Sequence, residues 1–214
     1  MYPENKADMK EEILLIKSSI PPSESDRYLL EWGYDLLDDY ISLVKRADFK
    51  PGGSVFEFAT GTGRMTALLT RLNFKVITGD QSFAQIAEAG KRITNGYLSK
   101  VEFISLNLES TPFKRRTLDN ITCVNTLHHL DNPVKCINEL ISAHSGKGKM
   151  LLADFNGEGF DVMDRLHKVR YGNIHPRGLN VWEEINDVLK DEYSRVEEVS
   201  STLNWGLIAQ NKRR

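Results

Sequence analysis

From residue 54 onward the chain alternates short apolar, β-forming runs with segments of helix length, and that rhythm rules out most architectures. Strand-like runs fall at 54–58, 74–78, 101–106, 120–125 and 148–154, and helix-like runs at 63–72, 82–94 and 132–144. Strands spaced by helices call for crossovers rather than hairpins, hence a parallel sheet with helices on both faces. After Asp154 the rhythm changes. Residues 160–170 and 180–190 read as helices. The runs 194–202 and 205–211 then read as an antiparallel pair joined by a tight bend near Asn204-Trp205-Gly206. Ahead of the alternation, Ile13, Leu14 and Ile16 form one apolar stripe, which Pro21-Pro22 ends. Ser23 or Ser25 is placed to cap one longer helix carrying Leu29, Leu30, Trp32, Leu36, Leu37, Tyr40, Ile41 and Val44. Pro51-Gly52-Gly53 is a stop signal before the first strand.

Length and charge narrow the function. A chain of 214 residues is ample for one α/β domain and short for two. With 28 basic and 30 acidic residues the formal net charge is −2, so no global basic field argues for nucleic acid. Lys114-Arg115-Arg116 and Lys212-Arg213-Arg214 are too short for a nucleic-acid-reading stripe and read as solvated surface. Cys123 and Cys136 sit in apolar runs and read as free, buried or half-buried thiols, which suits a reducing cytosol. Two cysteines without metal spacing cannot build a zinc site. The polar N-terminus lacks a signal-peptide core, and no apolar stretch approaches the roughly 18 residues of a membrane span, so a cytoplasmic protein is expected.

In open α/β sheets ligands bind beyond the carboxyl ends of the strands, so the residues there carry the functional reading. The first strand ends in Glu57-Phe58-Ala59-Thr60-Gly61-Thr62-Gly63, a small-residue turn ahead of a helix. Glycines let the backbone approach a ligand, and the helix start offers free N–H groups. An acid inside the strand, Glu57, is poorly placed unless something uses it. Val76-Ile77-Thr78-Gly79-Asp80-Gln81-Ser82 closes the second strand with an acid 17 residues beyond Gly63, able to accept two ribose hydroxyls at once. Asn107-Leu108 follows the third strand. Asn125-Thr126-Leu127-His128-His129-Leu130 follows the fourth, and Asp154 ends the fifth. Taken in this order, the segments resemble the motifs of the class I S-adenosylmethionine (SAM)-dependent methyltransferases of the small-molecule type. The resemblance covers residues 50–155 strongly and the closing hairpin weakly.

The resemblance implies a Rossmann-like sandwich with a mostly parallel seven-stranded sheet, a C-terminal antiparallel hairpin and helices on both faces. It implies one methyltransferase domain over 1–214: a helical cap (1–50), a SAM-binding core (51–155), then substrate-side helices and hairpin (156–214). Glu57, Ala59, Thr60, Gly61, Gly63, Asp80, Gln81, Asn107, Leu108, Asn125 and Thr126 are the implied cofactor residues. Glu57 either binds the amino group of SAM, directly or through water, or orients the loop. Ala59 departs from the family's first glycine, and Asn107 from its usual Asp at the adenine. His128 and Asp154 are the candidate catalytic groups, each with a structural alternative, while His129 is expected to cap and brace the next helix. Tyr28, Trp32, His167, Tyr171 and His175 are candidate acceptor contacts, with Tyr34 beside them; core packing and a solvated surface are the alternatives. Strand four ends in Asn125 rather than Asp, so no metal is expected. A methyl transfer from SAM to a small-molecule acceptor follows, with oligomeric state left open. The competing readings are a non-catalytic SAM-binding or scaffold subunit and an NAD(P)-dependent oxidoreductase. The latter wants glycine where Thr66 stands.

Overall fold

A computed structural model of the protein describes residues 6–213. Three helices lead: α1 (Lys6–Ser18), α2 (Glu24–Glu31) and α3 (Leu36–Ala47). Ser23 does cap, through a reciprocal box: its hydroxyl accepts from the Asp26 N–H, and the Asp26 carboxylate accepts from the Ser23 N–H at 2.7 Å. The single helix expected over Leu29–Val44 is in fact two. Gly33 turns the chain at φ +86°, and the Asp35 side chain accepts from the Leu37 N–H to start α3 afresh. A four-residue break leaves the apolar spacing nearly in phase, which is why periodicity alone passes over it.

The sheet comprises β1 (Ser54–Phe58), β2 (Lys75–Asp80), β3 (Val101–Ser105), β4 (Asn120–Val124), β5 (Lys149–Phe155), β6 (Tyr193–Ser200) and β7 (Asn204–Lys212). Its order is β3-β2-β1-β4-β5-β7-β6, parallel throughout except that β7 runs antiparallel to both neighbours. Helices α4 (Arg64–Arg71), α5 (Phe83–Ile93) and α6 (Pro133–Ala143) supply crossovers, and α7 (Gly157–Tyr171) and α8 (Trp182–Glu192) precede the hairpin. The hairpin turn lies at 201–203, not at Asn204-Trp205-Gly206, which pair with Phe155, Asp154 and Ala153. A Cβ on Gly206 would lie 2.0 Å from the Leu152 carbonyl oxygen, so this glycine marks close strand packing rather than a bend.

Two-residue alternation divides the sheet's side chains between two cores. Val55, Val76, Leu151, Ala153 and Ile208 pack with α3, α4 and α5, while Phe56, Phe58, Ile121, Leu152 and Leu207 pack with α6 and α8. The same alternation puts Glu57 on the face of Val55, beneath α4. A third, smaller core joins α2 and α7 over the end of β5 through Leu29, Leu36, Phe155, Val162 and Leu166. Because the strand order reverses between β1 and β4, their carboxyl ends diverge into the crevice where such sheets bind ligands. Among the described residues no helix is long and apolar enough to cross a membrane.

Candidate active site

The loop after β1 is held to the end of β2. The Thr60 N–H donates to the Gly79 carbonyl at 2.9 Å, and the buried Thr60 and Thr78 hydroxyls bond at 2.8 Å. Asp80 accepts from the Gly61 N–H at 3.0 Å and the Ser82 N–H at 2.9 Å. That leaves carboxylate lone pairs free for further donors. Gly61 and Gly63 do different work. Gly61, at φ +48°, would present a Cβ to open space, leaving room for a ligand to approach. A Cβ on Gly63 would meet Ala89 at 2.7 Å, so Gly63 lets α4 and α5 pack closely. Ala59 occupies the left-handed region at φ +75°, where an L side chain costs about 1 kcal/mol; the family's glycine has this as its reason.

Glu57 is buried and forms no ion pair among the described residues; the Thr66 hydroxyl donates to its carboxylate. Burial pushes its carboxyl up to about 8, against the lowering effect of the Thr66 and Thr78 hydroxyls. An acid kept dry and unpaired under a glycine loop is ready for a cationic partner. At the rim, Gln81 donates to the Asn107 side-chain oxygen at 3.2 Å, and the Glu109 N–H donates to the same atom at 2.9 Å. Leu108 is half-buried beside them. These residues fit the group the resemblance implies: a buried acid for an ammonium, an open loop for a carboxylate, and a second acid with spare lone pairs for a diol.

Across the crevice, Asn125 sits at φ +54° and ties three elements. Its amide donates to the Tyr40 hydroxyl at 3.1 Å and accepts from the Asn204 amide. Thr126 is buried and donates back to the Val124 carbonyl at 3.2 Å. Asp154, 2% exposed, grips His128 twice, at the backbone N–H (3.0 Å) and at Nδ1 (2.6 Å). It also accepts from the Phe155 N–H at 2.9 Å. His128 Nε2 is buried and has no partner. His128 and Asp154 line a cleft of about 310 Å³ closed by Phe155, Phe160, Arg177 and Gly178.

The acceptor candidates divide. His167 and His175 gather near His128, with ring centroids 4.5 Å (His167–His175) and 4.9 Å (His128–His175) apart. His129 is exposed with its ring 4.0 Å from His128, and α6 begins at Asn132 without a side-chain cap, so His129 does not cap that helix. Burial and the neighbouring imidazoles push His175 down to about 4. Tyr28, Trp32 and Tyr34 pack on the α2–α7 core, with the Arg165 guanidinium 3.9 Å from the Trp32 ring centre. Tyr171 is 57% exposed on the far side of His167.

Sequence reasoning missed a three-residue lock on the loop. Arg64, the first residue of α4, donates through Nε (3.1 Å) and Nη2 to Asp26 of α2, and Arg92 of α5 donates to the same carboxylate (2.5 Å) and to Thr62 (3.1 Å). Burial opposes it, yet the two guanidiniums hold the Asp26 carboxyl down at about 2. The available signal was Arg64 itself, a cation at a helix N-terminus, where the dipole disfavours it without an acidic partner.

Comparison with known proteins agrees with this geometry. Residues 56–152 match the family described as "Methyltransferase domain". The ubiquinone/menaquinone biosynthesis C-methyltransferase UbiE of Cronobacter sakazakii is 26% identical over 158 residues, covering 67% of this chain and 63% of that protein. Its counterpart from Shewanella pealeana is 23% identical over 160 residues, with the same coverage. The chain thus spans under two thirds of the length of these relatives. Among solved structures, a SAM-dependent methyltransferase from Aquifex aeolicus superposes with a TM-score of 0.61 at 20% identity, covering 92% of this chain and 97% of that one. A TehB-like SAM-dependent methyltransferase from Corynebacterium glutamicum gives 0.59 at 14%, covering 87% and 94%. These two likenesses speak for the fold. Sheet order, strand-end residues and the methyltransferase domain matched over residues 56–152 point the same way: the chain is similar to the class I SAM-dependent methyltransferases and shares their fold.

Proposed function

We propose that the protein transfers a methyl group from SAM to a small-molecule acceptor held in the cleft beside His128. Bound SAM supplies an electrophilic methyl carbon on a sulfonium. Glu57 receives the amino group, the Gly61 loop the carboxylate and Asp80 the ribose, with Gln81, Asn107 and Leu108 at the adenine. Asn125 and Thr126 would hold the methionine part. Asp154 orients His128 so that Nε2 faces outward from the pair, where it can accept a proton from an acceptor hydroxyl or acidic carbon as the new bond forms. A positioned base of this kind is worth ~10²–10⁴ in rate. The cleft wall of Phe155, Phe160 and Trp182 suits an apolar, ring-bearing acceptor, in keeping with the C-methyltransferase names of the relatives.

The observation that carries this reading is the His128–Asp154 pair at the cleft wall, one strand end away from the Asn125 turn. The cap over 1–50 and the segment 156–214 are assigned acceptor choice, and the core the cofactor. Two buried free thiols support a reducing, cytoplasmic setting. Incubation with isotope-labelled SAM and a cell extract, followed by mass spectrometry of products, tests the proposal. A labelled small molecule absent from a His128→Ala control supports it. SAM bound without any labelled product makes the chain a binding subunit, and the activity is then rejected.

A further inference from the structure

Four of the chain's five histidines gather at one place: His128 and His129 from the turn after β4, His167 from α7, and His175 from the loop that follows α7. Of these, His128, His129 and His175 each offer one ring nitrogen, and the three nitrogens all lie within 4.8 Å of one another. We propose that His128, His129 and His175 form a binding site for a divalent transition-metal cation of the Zn²⁺ class, with one coordination position left open. The inference does not rest on the methyl-transfer reading.

Two independent observations point to a ligand. The first is a pair of orphaned atoms. His128 Nε2 and His175 Nδ1 are buried, on residues only 5% exposed, and neither has a hydrogen-bond partner among the described residues. Buried polar nitrogens are rarely left so, and a cation would satisfy both. The second is the orientation of His128. Its other nitrogen, Nδ1, is held at 2.6 Å by Asp154, which itself is fixed by the His128 and Phe155 backbone N–H groups. A carboxylate behind a histidine fixes the ring's orientation and sets the tautomer that leaves Nε2 free to ligate.

The donor set selects the ion. Three imidazoles without carboxylate or thiolate suit Zn²⁺, Co²⁺, Ni²⁺ or Cu²⁺ rather than Mg²⁺ or Ca²⁺. Tetrahedral ligation at ~2.1 Å places nitrogens about 3.4 Å apart, so the cluster closes by an ångström or so on loading. His129, the exposed member of the three, is the side chain placed to make that movement. Three protein ligands with a vacant fourth position is the pattern of reactive rather than structural zinc. His128 also lines the acceptor cleft, whereas His129 and His175 do not, so the ion stands behind the cleft wall, and the fourth position is left for water or a small anionic oxygen or sulfur ligand. Loading and the free-base role of His128 Nε2 exclude one another, because both use the same lone pair. The expected absence of a metal was argued from Asn125 at the end of β4 and does not bear on this cluster.

The test uses tag-free full-length protein stripped with chelator, then titrated with Zn²⁺ by calorimetry and with Co²⁺ by visible absorption, without SAM or acceptor. One ion per chain and the intense d–d bands of a four- or five-coordinate Co²⁺ site are expected. His129→Ala and His175→Ala, one exposed and one on a loop, should each weaken Zn²⁺ by more than the ~10–100-fold that loss of an outer partner costs. Asp154→Asn should fall within that range. No binding, or binding unchanged in both histidine variants, overturns the site. SAM affinity measured on the same samples reports separately on the cofactor site.

Discussion

Glu57 offers the sharpest test of the cofactor site, because its protonation should be coupled to binding. Its carboxyl, buried under α4, is pushed up to about 8 from an ordinary 4.5. At about 1.4 kcal/mol per tenfold, that corresponds to about 5 kcal/mol of differential solvation, an upper bound since relaxation softens it. At pH 7 roughly nine ligand-free chains in ten therefore carry the proton. An ammonium docking beside Glu57 favours the carboxylate and expels that proton. Calorimetry of SAM or its demethylated product at pH 7, in buffers of different ionisation enthalpy, should show release of nearly one proton per ligand. Affinity should rise close to tenfold between pH 6 and 7 and level off above about 8. Glu57→Gln keeps an acceptor for the Thr66 hydroxyl but has no proton to lose. It should abolish the release and weaken binding by ~1.5–3 kcal/mol. The same variant should be more stable than the parent without ligand. A carboxyl whose folded value is raised contributes stability below its unfolded value, and that stability is lost as pH climbs from 4.5 towards 8. If heats are independent of buffer and Glu57→Gln binds SAM as tightly as the parent, the acid only orients the loop.

Other expectations follow from single contacts. Ala59→Gly relieves about 1 kcal/mol of left-handed backbone at a cost of ~0.4–1 kcal/mol in unfolded-chain entropy, and should change stability by a net ~0–0.6 kcal/mol in its favour in denaturant titrations. Asp80→Ala should weaken SAM by ~1.5–3 kcal/mol, measured by calorimetry; unchanged affinity would displace the ribose from the end of β2. Asp154→Asn should leave SAM affinity intact while lowering kcat in metal-free assays, because the His128 ring loses the partner that sets its tautomer. Asp26→Asn strands the buried Arg92 guanidinium and the half-buried Arg64 guanidinium, and should cost ~3 kcal/mol by urea unfolding. The sign is acid-directed: with the Asp26 carboxyl held at about 2, its contribution of ~2 kcal/mol is present above pH 4 and fades as pH falls towards 2.

Much of the protein was legible along the chain because the evidence was local. Alternating strand and helix runs name a crossover sheet, since no other connection joins parallel neighbours. The turn after Phe58, Asp80 and the segment from Asn125 are strand ends, and strand ends of such a sheet share one rim whatever their separation in sequence. What failed to show was non-local or masked by periodicity. Gly33 breaks a helix without disturbing the apolar spacing on either side. Gly206 reads as a turn but serves a close strand approach. Asp26 reaches Arg64 across 38 residues and Arg92 across 66, and only packing of α2 against the loop brings them together. The histidines make the contrast plainest. Sequence reading named His128 as a base or a brace, His129 as a brace, and His167 and His175 as acceptor contacts or solvated surface, with no link between the two regions. Only the fold of α7 and its following loop over the end of β4 gathers them and leaves two of their nitrogens buried and unpaired. By itself, then, the sequence determined the sheet and the residues along its rim, through local patterns that backbone geometry converts directly into position. Tertiary structure alone decided the cap's lock on the loop and the histidine cluster, because each is a meeting of side chains whose distance along the chain carries no signal.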